Sequence, residues 1–149
     1  MTPDSQPVDH VRLLAGHKAD GRPVYEVLPA TPRGPGVVVL AGSPGLVLGC
    51  AAGDVLRVDD DGGFEVVEPG ANLCVQAFRD ERFTPESFGA LQEAVAALGG
   101  VAEAPADLRF IVVTVERAAG LAAVARVMDS WAAGVDDTTW WYGNVEDPS

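Results

Sequence analysis

The sequence predicts an α+β protein with two unlike halves: a small antiparallel β-rich N-terminal half, barrel-like or a rolled sheet, packed on a ferredoxin-like βαββαβ C-terminal half. Three observations carry this. Up to about residue 68 the chain is a series of short apolar runs cut by turn signals, with no helical period. After Glu68-Pro69-Gly70 two amphipathic stripes of helical period appear. Strand-like runs flank these stripes in the order strand, helix, strand, strand, helix, strand, which is the split βαβ pattern.

Residues 1–9, rich in Pro, Asp and Ser, are expected to form a disordered leader. The β-rich subdomain is expected over 10–68. "HVRLLAGH" and "VYEVLPA" are strands joined through Asp20-Gly21, a hairpin turn pair. "TPRGPG", residues 31–36, holds too many prolines and glycines for anything but a loop. "VVVLAGSPG" follows. "DVLRVD" alternates, with Val55, Arg57 and Asp59 on one side and Leu56 and Val58 on the other. "DDDGG" turns the chain and "FEVVE" returns it.

The second subdomain is expected over 69–145. "NLCVQAF" is a strand. "FTPESFGALQEAVAALGG" is a helix capped by Thr84, opened by Pro85 and ended by Gly99, with Phe88, Leu91, Val95 and Leu98 on one face. "VAEA" is a short strand, "PAD" a turn and "LRFIVVTV" a strong strand. A second helix is expected over Ala118–Ala133, with a stripe of Leu121, Val124, Met128 and Trp131. "TTWWYGN" closes as a strand. The two central strands are apolar on both faces: Leu73, Val75 and Ala77 against Cys74 and Phe78, and Ile111, Val113 and Val115 against Phe110 and Val112. The helices cover one face only. The other needs a cover too, because an exposed apolar patch of that size is unusual. The N-terminal strands are the favoured cover, and a second copy in a homodimer is the alternative.

Charge narrows the function classes. The 149 residues carry 22 acidic and 10 basic side chains, a net charge of −12. Such a surface repels phosphate backbones and anionic lipids, which argues against nucleic-acid and membrane partners. It suits a basic protein partner, or plain solubility. No apolar run approaches the ~20 residues of a spanning helix, and the N-terminus lacks a secretory pattern, so the expected location is cytoplasmic. Cys50 and Cys74 are expected as buried thiols, with a disulfide between them left open.

No catalytic, cofactor or metal site emerges. The stretch "GSPGLVLGCAAGDVLRVDDDGG" lacks the Lys-Ser/Thr of a phosphate loop, and Gly42, Gly45, Gly49 and Gly53 miss the dinucleotide spacing. As a calcium loop it would use Asp59, Asp61 and Glu68, but Arg57 would take the first ligand position. His10 and His17 are the only histidines, and neither they nor the cysteines show zinc spacing. A Cys-His nucleophile from Cys50 or Cys74 with His17 is not favoured by the sequence. What stands out is Trp140, Trp141 and Tyr142 in succession, which a strand must send to opposite faces. These three are the candidate binding residues. Trp141 is expected to fill the core while Trp140 and Tyr142 cover an edge or the other subdomain, and the functional alternative makes Trp140 or Tyr142 a binding anchor.

"VYEVLPA", "SPGLVLGCAAGD", "ANLCVQ" and "WWYGNVED" together resemble the bacterial, often actinobacterial, domain of unknown function family 4265. The resemblance runs from about His10 onward. It implies a cytoplasmic bacterial protein and carries over no reaction and no catalytic residue. The leading expectation is therefore a non-enzymatic binding protein, of immunity or regulatory type, for a basic protein. A small-ligand sensor with a pocket between the halves is second. A cysteine-dependent enzyme is third.

Overall fold

The structure, a computed structural model, describes residues 9–145. The leader expected over 1–9 falls outside the described residues except for Asp9, which opens the first strand. The fold is α+β, with two antiparallel sheets and two α-helices among the described residues.

The first sheet is a five-stranded meander: β1 (Asp9–His17), β2 (Pro23–Gly34), β3 (Val37–Leu40), β4 (Val55–Val58) and β5 (Phe64–Glu68). Asp20 shapes the first turn, its carboxylate accepting from the Arg22 backbone N–H and from Arg22 Nε. The loop expected over 31–36 is corrected, because Thr31–Gly34 continue β2. Among the described residues this stretch pairs only with β3, since β1 begins at Asp9 opposite Ala30. An edge tolerates a proline that lacks an N–H. The register shift between Pro32 and Gly34 absorbs the irregularity, and the turn shrinks to Pro35-Gly36.

In the β4–β5 hairpin tip, Asp59–Gly63, the three aspartates are exposed, Gly63 is half-buried and Gly62 is buried. Gly62 sits under β1, where Leu14 N–H donates to its carbonyl at 2.9 Å. A Cβ there would meet Leu14 N and the Tyr25 ring, so the tip requires glycine for space as well as for its φ of 88°.

The second sheet contains β6 (Asn72–Phe78), β7 (Val101–Glu103), β8 (Phe110–Glu116) and β9 (Thr139–Tyr142) in the order β7-β8-β6-β9, every pair antiparallel. Helix α1 (Pro85–Ala96) lies between β6 and β7, and α2 (Leu121–Ala132) between β8 and β9. Thr84 caps α1 in a reciprocal box with Ser87. The second helix is shorter than expected. Arg117–Ala119 form a 3₁₀ turn, and Gly120 at φ 91° breaks the chain before Leu121. Leu121 therefore stays 40% exposed, outside the buried stripe of Val124, Met128 and Trp131. Both helices pack on the sheet face that carries Leu73, Val75, Ala77, Ile111, Val113 and Val115.

The opposite face carries Cys74, Gln76 and Val112, all buried. Its cover comes from the N-terminal half, but not from a strand as expected. The β3–β4 connection, residues 41–54, does this. Ala51 packs on Cys74 and Val112, while Val47 and Cys50 of the same connection join the core of the first sheet with Leu13, Leu28, Leu40 and Leu56. One loop thus belongs to two cores.

Candidate functional site

The 41–54 connection has no ladder of its own, so side chains must satisfy its buried backbone. Glu26 of β2 contributes three of these bonds, accepting from the N–H groups of Gly45 (2.8 Å), Leu46 (2.9 Å) and Val47 (3.0 Å). Gln76 of β6, only 2% exposed, holds the loop from the other sheet. Its Nε2 donates to the carbonyls of Pro44 and Val47, each at 2.9 Å. Its Oε1 accepts from Trp141 Nε1 at 2.7 Å. Ser43 Oγ meets Thr114 Oγ1 at 2.7 Å and accepts from Ala52 N–H. Asp54 accepts from Ala51 N–H and Gly70 N–H. Gly45 is the close approach, since a Cβ there would overlap the Phe110 ring.

The tail of β9 is tied into the same network. Gly143 N–H donates to the Cys74 carbonyl, and Gly49 N–H to the Gly143 carbonyl, both at 2.7 Å. Asn144 accepts from Cys74 N–H and donates to the Asn72 carbonyl.

Between this rigid loop and the end of the sheet lies an apolar groove. A hollow of about 240 Å³ is lined by Leu46, Leu48, Phe78, Phe110 and Trp141 over a floor of Gln76. A second, of about 400 Å³, runs from Leu48 past Trp141 toward Val145. Leu46 (44%), Leu48 (59%), Phe78 (46%) and Trp141 (38%) are large apolar side chains left open to solvent here. Asp80 and Glu81, just beyond Phe78, and Asp136 and Asp137, just before β9, are exposed acids at the same end of the sheet. Arg109 stands over the Phe110 ring, 5.5 Å from its centroid.

The three aromatic candidates divide. Trp140 and Tyr142 pack against the helix-side core, their rings edge-on at 5.4 Å. Trp140 Nε1 donates to Asp129 Oδ1, and Tyr142 OH donates to the Leu121 carbonyl. Burial, with Asp129 nearby, raises the Tyr142 pKa. Of the three, Trp141 lines both hollows of the groove. The expected assignment, with Trp141 in the core and its neighbours at an edge, is therefore reversed. Register explains it. Trp140 pairs with Ala77 and Tyr142 with Val75, both helix-side residues, while Trp141 pairs with Gln76 on the other face. Sequence reading also missed Glu26, Gln76, Leu46 and Leu48. A lone glutamine inside the apolar run "NLCVQAF" was the available signal, because a buried amide needs partners.

Cys50 and Cys74 are free thiols, both fully buried. Burial pushes each up to about 12, and the nearby negative charge of Glu26 and Asp54 adds to it. That is opposite to the depressed pKa of a nucleophilic thiolate. His10 and His17 are exposed on β1. Among the described residues, no group of three His, Cys, Asp or Glu side chains is placed to hold a metal ion, and no helix is long and apolar enough to cross a membrane.

The profile of one family, described as "Domain of unknown function (DUF4265)", matches residues 26–140. The chain belongs to the DUF4265 family. The matched span begins at Glu26 and includes the whole 41–54 connection and Gln76, so the DUF4265 region contains the loop and both side chains that fix it. No curated protein matches the chain. Among solved structures, it is similar to a hypothetical protein from Neisseria gonorrhoeae, with a TM-score of 0.68 at 10% identity over 93% of this chain and 95% of that one. At that identity the likeness is one of fold.

Proposed function

We propose that this DUF4265 chain is a non-enzymatic, cytoplasmic binding protein whose partner, a basic protein, docks on the groove around Trp141. The observation that carries the reading is the groove itself. Four large apolar side chains stay exposed around a hollow whose walls are fixed by buried hydrogen bonds rather than left loose. Preorganised apolar pockets with an aromatic anchor are where binding energy concentrates. The net charge of −12 and the acids at the groove's end favour a positively charged partner. An immunity or regulatory role against a basic protein suits that pairing. The two unpaired thiols agree with a reducing compartment.

We read the architecture in the same way, as a rolled sheet over 10–68 on a ferredoxin-like unit over 69–145. The bond from Leu14 to Gly62 supports the first part, and the order β7-β8-β6-β9 with both helices on one face supports the second.

The test is affinity capture at low and high salt, with the Trp141→Ala variant beside the parent chain. A basic protein retained only by the parent, and released as salt rises, is the expected result. Retention that ignores both Trp141 and salt would overturn the reading. A second reading, a small-ligand sensor, draws on a hollow of about 190 Å³ between the halves, lined by Glu26, Ser43, Glu103 and Phe110 among others. A ligand that binds there raises the melting temperature, and loses that effect in Ser43→Leu.

A further inference from the structure

We propose that the partner's contact segment is an extended basic stretch that adds as a further strand along the free edge of β9. This rests on the binding reading above and specifies how the partner is held. β9 is the last strand of its sheet. It pairs with β6 on one side, and among the described residues no strand pairs with its other side. Among the described residues, none of the backbone hydrogen bonds outside the ladders uses residues 139–142, so within this set the outer N–H and C=O groups of β9 have no partner. An open edge of this kind is a template for an incoming strand.

The side chains beside that edge say which strand would fit. An added strand sends alternate residues to opposite faces, so residues i and i+2 lie ~7 Å apart on one face. On the Trp141 face they meet the hollow that runs from Leu48 past Trp141 toward Val145, while the hollow over Gln76 and Phe110 lies on the inner side of Trp141. The outer hollow is mainly apolar, and it takes aliphatic or aromatic side chains. Asp136 and Asp137 lead into β9, and Asp80 follows the β6 residue that pairs with its first position, Thr139. Basic residues flanking the apolar ones would meet these acids. A second copy of this chain is the poorer occupant, because it brings another −12 to a surface already acidic. The other edge of the same sheet, β7, offers three residues and no aromatic anchor.

An eight-residue peptide of alternating Val and Lys, capped at both ends, is the probe. Two controls accompany it, an alternating Val-Glu peptide and a Val-Lys peptide N-methylated at every residue. Hydrogen exchange of the 139–142 amides and fluorescence anisotropy of the labelled peptides are the readouts. The Val-Lys peptide is expected to bind, to slow exchange in β9, and to lose at least about tenfold in affinity with Trp141→Ala. Asp136→Lys, at an exposed position away from the core, is expected to weaken binding as well and guards against a folding defect in the first variant. The Val-Glu and N-methylated peptides are expected to fail. Equal, Trp141-dependent binding by the N-methylated peptide would overturn strand addition and leave the groove reading standing. No binding by the Val-Lys peptide at millimolar concentration would also overturn strand addition, with the groove reading then judged by the capture experiment alone. Self-association of the free chain that slows exchange in β9 would replace the partner with a second copy.

Discussion

Replacing Gln76 by Leu tests the joint on which the groove depends. The side chain is nearly isosteric, so little cavity opens. What is lost is three hydrogen bonds: two donated to the carbonyls of Pro44 and Val47, and one accepted from Trp141 Nε1. Pro44 and Val47 are buried, so water does not replace the amide there. Each buried carbonyl left without a partner costs about 1–3 kcal/mol. Trp141 is 38% exposed, and its indole N–H turns to solvent at little cost. Cys74 Sγ still donates weakly to the Pro44 carbonyl, at 3.3 Å. The expected loss is therefore about 2–5 kcal/mol, a large share of the ~5–15 kcal/mol that holds a typical domain. For a chain of this size that lowers the melting temperature by roughly 5–15 °C. Urea unfolding gives the free energy, and tryptophan emission reports whether Trp141 has left its site. Gln76→Glu keeps the shape but cannot donate, and it adds a buried charge beside buried thiols, so it is expected to cost more than Leu. A loss under about 1 kcal/mol for the Leu variant, with Trp141 emission unchanged, would refute the claim that this amide holds the loop.

Three further perturbations probe the same region. Glu26→Ala strips the acceptor from three loop N–H groups, two of them on the buried residues Gly45 and Val47, and is expected to cost about 2–4 kcal/mol and to speed amide exchange over 45–47. Gly45→Ala drives a Cβ into the Phe110 ring and is expected to cost about 1–3 kcal/mol in chemical unfolding, with the ring displaced into the groove. The thiols give a pH signature. Unfolded cysteines ionise near 9.0 while the folded ones stay protonated to about 12, so the unfolded state releases its protons first. Their contribution is complete below pH 9 and is lost as pH rises from 9 toward 12, at up to ~1.4 kcal/mol per pH unit for each thiol. Cys50→Ala and Cys74→Ala should each flatten that alkaline decline, and an unchanged slope in both would contradict the burial argument.

Local chemistry was what the sequence displayed well. Thr84 and Pro85 mark the start of α1 because a helix terminus is satisfied by its own neighbours. The two-faced apolar pattern of β6 and β8 announced a second cover, and the cover came from the N-terminal half. Whatever depended on distant pairing was hidden. "TPRGPG" looked like a loop because its prolines and glycines speak only for local preference, while the β2–β3 ladder decides otherwise. The face occupied by Trp141 follows from its pairing with Gln76, 65 residues away, and a shift of one residue would have reversed all three aromatics. In the glycine-rich stretch 42–53, which looked like turns, Gly45 and Gly42 serve close approaches to Phe110 and to Pro29 that no short window contains.

The groove's energetics explain why it is argued together with the β9 edge and the acids beside it. Leu46, Leu48, Phe78 and Trp141 together leave roughly 400 Å² of apolar surface open, which at ~25 cal/mol/Å² is worth at most about 10 kcal/mol on complete burial. A partner covering half of it gains about 5 kcal/mol, and association alone costs an estimated 4–15 kcal/mol. Patches of this size also occur on ordinary monomer surfaces. Apolar contact therefore does not suffice for a stable complex here, and size alone does not mark the groove as a site. What separates it from ordinary surface is that the remaining contributions lie within reach: an aromatic anchor held by Gln76, a strand edge with no partner among the described residues that supplies directional hydrogen bonds, and exposed carboxylates that speed the approach of a cation-bearing chain. Trp141→Ala and high salt are therefore each expected to weaken binding by at least about tenfold, and backbone N-methylation of the probe to abolish it.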